Sequence, residues 1–513
     1  MSPAGPRQII LEASKNLLLV VLVALSLLLN HQFWMTTTEA ESQPAYRPPV
    51  TPSVSVTEAF RPDRIFIGAG TEEHGPLDRD REEFMQVWDA TLRLLRGTDR
   101  SRMVLVEGPE VDRYIRSRMV REPSWQAVFS AALPLDLWWE IWRGDLRADA
   151  AVWDTQAPGD LPAISADRWE MAAQKMDRIC VFFDEEEGVT ILAGDGHRFL
   201  AATVSPEDPG LFTAVKDRLA GWVQELPVYR TVPEEWMGVG ISGTVLVPEM
   251  DVYRPAFLYL DAPEDAPWDR IRTFFFDHGM ILEMEMEGFN AYTDGRGALR
   301  TYPSGGISFF AGYAPQEKGT LNWTSAVEEA FWYVDLHGGW PENVSLGGVQ
   351  LKSGESLAEL ARRHLPDSME EAGDLTSFLA GGPWPESLWQ EAEGVGLVLR
   401  QEVERTPLEG VPSLEVWVSE RGLMRFTRFD PLVGGVASES RAKPPFGAVA
   451  DSVSTLPQGD RDQLLVTGVY PAYHLPSISH ERTHLTAVWV VRFADGQKHY
   501  IHATTGSLLG KGR

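Results

Sequence analysis

Residues 17 to 29 read LLLVVLVALSLLL, an apolar run that only Ser26 mildly interrupts. Carried on through Asn30-His31-Gln32 to Trp34 it reaches 18 residues, the lower bound for a helix crossing a hydrocarbon core of ~30 Å. Arg7 and Lys15 precede it, opposed only by Glu12, and TTTEAE follows. Positive charge on the N-terminal side predicts a cytoplasmic stub over 1–15, a single transmembrane helix over 16–35, and an extracytoplasmic remainder. Phe33 and Trp34 suit the outer interface. A cleaved signal peptide has an apolar run of similar length. However, Thr38-Glu39-Ala40 makes a poor cleavage site, with Glu at its middle position. The reading is an uncleaved single-pass anchor in the cell membrane.

Helices in a bilayer associate through close packing and occasional polar contacts. Ser26 and Asn30 lie one turn apart, so they are candidates for the face that meets a partner helix. Asn30 resting at the interface, with both residues merely facing lipid, is the equal alternative.

Beyond the anchor, 43% hydrophobic and 23% charged residues describe globular protein, and 513 residues are too many for one core. The formal charge of −28 argues against nucleic acid, because no basic run offsets the repulsion of phosphates. Cys180 is the sole cysteine, so neither a disulfide framework nor a Cys-rich zinc site is available. Its neighbours in DRICVFF are apolar, which predicts a buried strand thiol.

Residues 36–60 are rich in Thr, Ser and Pro and read as a linker that lifts the ectodomain off the membrane. Three regions follow. An N-terminal α/β ectodomain over 61–235 opens with strand RIFIGAG (64–70). It contains helices at 84–97 and 211–223, where apolar residues recur at helical spacing. A central α+β domain over 236–385 has a short helix at 268–276, a hairpin turning at Asp294-Gly295, and a helix over 325–339 closed by Gly338-Gly339. A C-terminal α+β domain over 386–513 has hairpins turning near Glu420-Arg421-Gly422 and at Asp495-Gly496. The expected fold class is α+β, with antiparallel sheets and packed helices.

HERTH, residues 480–484, spells the H-E-x-x-H zinc signature. On a helix His480 and His484 would share a metal while Glu481 activates its water. Pro476 leaves little room for a helix before it, and LTAVWVVRF after it favours a strand. In an extended segment the two imidazoles would stand ~13 Å apart. No third ligand is evident, since His499 and His502 are three apart in KHYIHATTG and face opposite sides of a strand. The motif reads as a loop, with an extracytoplasmic zinc peptidase as the alternative. G-x-S-x-G, P-loop and paired-ligand clusters are missing from the sequence, so no catalytic residue, metal or cofactor is expected. Glu283, Glu285 and Glu287 alternate with Met284 and Met286 as an exposed strand face. Asp184 to Glu187 reads as a solvated turn before Gly188.

Several segments resemble the YycH family, membrane-anchored regulators of the WalK/WalR (YycG/YycF) two-component system. They are the anchor itself, FSAALPLDLWW and MDRICVFF in the first region, and AYTDGRGALRTYPSGGISF with its YTDG turn. AFWYVDLHGGW and EGVPSLEVWVSERGLMRFTRF are similar to family segments as well. The stretch from Tyr470 to Gly506 resembles the last module shared by YycH and YycI. The acidity of the ectodomain, and Ala487-Val488 where that module commonly has Pro before its Trp, depart from the pattern. The resemblance implies a non-enzymatic accessory protein that acts with a YycI-like partner on a WalK-type sensor histidine kinase, modulating signal transduction in cell-wall metabolism. An envelope-binding module without a kinase partner is the further alternative.

Overall fold

The alternation of side chains along strand Lys175–Asp184 shows how the first layer is built. Ile179, Val181 and Phe183 enter one core and Cys180 and Phe182 another, so this strand is buried on both faces. The computed structural model describes residues 56–99, 102–134, 138, 154–156, 158, 161, 175–184, 188–205, 209–232, 235–236, 239–249, 256–261, 268–275, 279–312, 323–341, 344–352, 394–403, 406–411, 413–419, 422–429, 432–439, 442–456, 464–475 and 484–512. Residues 16–35, expected to form a transmembrane anchor, lie outside them; no helix among the described residues is long and apolar enough to cross a membrane. Residues from Thr51 onward form one compact unit.

The first sheet is antiparallel. Its order runs Leu246–Pro248, Tyr229–Thr231, Glu73–Leu77, Arg64–Ala69, Pro123–Pro134, Lys175–Asp184, Gly188–Gly194, Arg198–Ser205, Val104–Glu107. Helices Glu82–Gly97 and Pro209–Val223 form where their spacing predicts. The first puts Phe84, Val87, Leu92 and Leu95 into the core and begins with Glu82 and Glu83, which suit a helix N-terminus. Helix Pro109–Arg121 lies against the other face and was not evident from periodicity. Its signals are a Pro at the first turn, Glu110 and Asp112 at its start, and Arg118 and Arg121 at its end. Helix Val56–Ala59 precedes a fully buried Phe60, which touches Trp138 and Phe331, so the packed core reaches into the stretch read as linker.

A second antiparallel sheet runs Leu282–Met286, Phe289–Thr293, Gly297–Thr301, Ile307–Ala311, Gly422–Arg428, Leu414–Ser419, Gly394–Val403, Val344–Lys352. Its inner face, with Leu299, Phe309, Val416 and Phe426, is covered by helix Trp323–Leu336 and joins the core of the first sheet. The third layer centres on Leu465–His474, His484–Phe493 and Lys498–His502, covered by helix Pro445–Ser454. Two short strands, Val239–Ile241 and Thr406–Glu409, run parallel to Leu465–His474 at its two ends. The fold is sheet-dominated α+β, as expected, and the turns at Asp294-Gly295 and Asp495-Gly496 fall where the sequence places them.

Candidate functional site

Ser26, Asn30, His480 and Glu481 fall outside the described residues. His484 opens strand His484–Phe493 and is exposed, so the extended segment predicted after HERTH takes in the motif's second histidine. His499 is buried, with Nδ1 2.7 Å from Ser452 Oγ. His502 Nδ1 accepts the Thr504 and Thr505 backbone N–H groups at 3.2 and 3.3 Å. No group of three or more His, Cys, Asp or Glu among the described residues is placed to hold a metal ion.

Where they fall among the described residues, the segments that carry the family resemblance are framework. Asp294 Oδ1 accepts the backbone N–H groups of Arg296 and Gly297 at 2.8 and 3.0 Å, an Asx turn closing the YTDG hairpin. Gly338 and Gly339 have φ of 114° and 75°, and Gly339 N–H returns to the Val334 carbonyl, so the helix over 323–336 ends in a glycine cap. The His337 imidazole stacks on Phe274 with ring centroids 3.8 Å apart and lies 2.8 Å from Thr273 Oγ1. Burial, reinforced by Arg270, lowers its pKa to about 3. Trp489 is fully buried and donates its Nε1–H to the Lys443 carbonyl at 3.0 Å. Cys180 is a buried strand thiol, and burial pushes it up to about 12. Native protein should therefore resist a maleimide reagent at pH 7.5 and react stoichiometrically once unfolded in guanidinium, as intact-mass measurement will show.

The polar chemistry of the described interior gathers where the layers meet. Asp177 and Arg178 are adjacent and each almost wholly buried; Arg178 Nε donates to Asp177 Oδ1 at 2.7 Å. Arg492, from strand His484–Phe493, pairs with Asp177 Oδ2 and so ties the first sheet to the third. Burial alone would raise the Asp177 carboxyl, but the two guanidinium charges outweigh it and hold it below the ordinary carboxylate range. The loop Ser242–Thr244 sits in the same joint. Arg178 Nη1 donates to Thr244 Oγ1 at 2.6 Å, Gln126 Nε2 donates to the Thr244 carbonyl at 3.1 Å, and Ser242 N–H donates to the Val466 carbonyl at 2.9 Å.

A second joint surrounds Glu409, at the end of strand Thr406–Glu409. Its Oε1 accepts from Tyr470 OH at 2.8 Å, Arg400 Nη1 at 3.0 Å and Lys498 Nζ at 3.1 Å. Its Oε2 lies 3.2 Å from Lys498 Nζ and 3.4 Å from Tyr500 OH. Arg400 belongs to the second sheet; Tyr470, Lys498 and Tyr500 belong to the third. Against the penalty of burial, Arg400 and Lys498 keep Glu409 ionised, with a pKa of about 2. One carboxylate cannot neutralise two cations, and the ammonium yields: burial and Arg400 lower Lys498 to about 8. Gly410 follows with φ of 97°, where a Cβ would lie 2.4 Å from the Leu475 carbonyl oxygen, so the chain turns there only with glycine.

These two joints cannot act as catalysts of the acid–base kind. Their carboxylates are saturated with donors and shut off from solvent, and they fasten sheets together. Sequence reading missed them. The available signal was charge in the wrong place: Asp177-Arg178 inside a strand apolar on both faces, and Lys498 heading KHYIH between two strands.

No family model and no curated protein matches the sequence. Among solved structures, that of YycH from Bacillus subtilis matches over 86% of this chain and 96% of its own. The structural likeness is to YycH. Sequence identity there is 13% and the TM-score 0.45. A second structure, an uncharacterized protein from Eubacterium rectale ATCC 33656, matches at 11% identity and a TM-score of 0.33, covering 56% of this chain and 95% of its own.

Proposed function

We propose that the protein is a membrane-anchored, non-enzymatic regulator of a WalK-type sensor histidine kinase, acting with a YycI-like partner to modulate a two-component system of cell-wall metabolism. One observation carries the reading. In the motifs that resemble the YycH family, YTDG, HGGW and the Trp489 hairpin, Asp294 closes a turn, Gly338-Gly339 cap a helix and Trp489 is held in a buried contact, so these segments are packed framework. The resemblance is thus to a folded body, which suits a protein working by contact. In this reading residues 16–35 span the membrane with the bulk outside, and Ser26 and Asn30 face the kinase's own helices.

The test replaces Ser26 and Asn30 together with Leu. Insertion is kept or strengthened, because Leu is favourable in the hydrocarbon core. Interhelical hydrogen bonds of about 0.6 kcal/mol each, at most ~2, are removed, enough to weaken a loose complex several-fold. The double variant should reach the membrane at normal abundance yet lose much of its influence on a reporter of the kinase pathway. It should also lose co-purification of the kinase in mild detergent. If deleting the whole gene leaves the reporter unchanged and the tagged full-length chain retains neither kinase nor YycI-like protein, the reading fails.

A further inference from the structure

Strand Leu282–Met286 is exposed along its whole length, on both faces. One face carries Leu282, Met284 and Met286, with 65%, 47% and 52% of their surface open to solvent. The other carries Glu283 and Glu285. The strand pairs with Phe289–Thr293 in a register that sets Met284 against Ala291, and among the described residues no strand is paired to its outer edge. It thus offers a row of backbone N–H and C=O groups together with an apolar stripe, a combination that invites another strand.

Charge decides which strand. In an antiparallel pair the residues opposite each other share a face. A second copy centred on Met284 would set Glu283 against Glu285, and one centred on either Glu would set that residue against itself; like charges directly opposite are destabilising. A one-residue offset would instead lay each apolar stripe over the other copy's carboxylates. Self-pairing along the full length of the strand is therefore disfavoured. The two faces also differ in sign. On the Met face the sheet continues, through Ala291, to Arg300, which lies over the Phe289 ring at 5.2 Å and the Phe310 ring at 6.0 Å. Arg425 lies over the same Phe310 at 5.4 Å. Arg425 is paired with Glu415 at 3.3 Å, so it is Arg300 that repels basic side chains on the Met face, while the carboxylates on the Glu face attract them.

We propose that this edge docks an extended segment of a partner protein in which apolar side chains alternate with Lys or Arg. Its backbone would add to the sheet at Leu282–Met286, its apolar residues would cover the Leu/Met stripe, and its basic residues would face Glu283 and Glu285. This proposal does not depend on the kinase reading, since it concerns the chemistry of the edge whatever protein supplies the segment.

The experiment uses the purified full-length chain in detergent and two capped octapeptides, one alternating Val and Lys, the other Val and Glu. Amide hydrogen exchange is followed by mass spectrometry over the fragment spanning 279–293. The Val/Lys peptide should slow exchange at 282–286 at least tenfold, and the Val/Glu peptide should leave it unchanged. In E283K/E285K the preference should reverse. In M284E/M286E, which keeps the carboxylates and removes the stripe, protection by either peptide should be lost. Normal exchange in strand Lys175–Asp184 will verify that each variant is folded. Binding of the Val/Lys peptide without protection of 282–286 would overturn the proposal, as would a preference that E283K/E285K leaves in place or protection that survives M284E/M286E.

Discussion

Asp177→Ala should destabilise the protein by about 3–5 kcal/mol, because it leaves buried arginines without their counter-ion. Asp177 answers two of them, Arg178 beside it and Arg492 from the third sheet. Arg492 retains some access to water, whereas Arg178 is 3% exposed and held by Thr244, so its charge has nowhere to go. The loss should appear as a lower urea midpoint with the first and third layers separating before the second unfolds, and exchange should rise at Ser242–Thr244 and at 488–493. Replacing all three charges at once, as D177L/R178M/R492L, should recover much of the stability, since an apolar joint has no charge to desolvate. A triple variant no more stable than D177A would show that the joint depends on these hydrogen bonds in particular.

The elements that sequence reading found are those specified by local chemistry. Phe84, Val87, Leu92 and Leu95 fix a helix face by spacing alone. Asp294 fixes its hairpin through bonds to residues two and three positions on, and Gly338-Gly339 ends its helix with positive φ. The strand after HERTH was legible for the same reason, since β-branched residues there favour one; it begins a residue early, at His484. What was not legible is chemistry assembled across the chain. Glu409 meets Lys498 from 89 positions away, and Asp177 meets an arginine far beyond the reach of any local pattern. Helix Pro109–Arg121 escaped for a different reason. It buries Val111, Ile115 and Met119 on a narrow stripe in a strongly charged segment, so its capping chemistry identifies it better than its hydrophobic period.

Glu409→Gln should cost a similar amount, about 3–5 kcal/mol at pH 7, and here the pH dependence identifies the cause. The amide keeps the shape and an acceptor for Tyr470, but Arg400 and Lys498 then face each other without an anion between them. In the wild-type chain the Glu409 carboxyl falls from an ordinary 4.5 to about 2 on folding. At about 1.4 kcal/mol for each tenfold change in proton affinity, that is worth roughly 3 kcal/mol. The group binds its proton more weakly folded than unfolded, so its contribution is complete above pH ~4.5 and is lost as the pH falls towards 2. The gap between wild type and E409Q, taken from urea titrations at intervals between pH 5 and pH 3, should narrow as the pH falls. E409Q/K498M, which removes one of the two stranded cations, should recover part of the loss at pH 7. A gap unchanged down to pH 3 would show that Glu409 holds the joint by shape and hydrogen bonding, with its charge of no account.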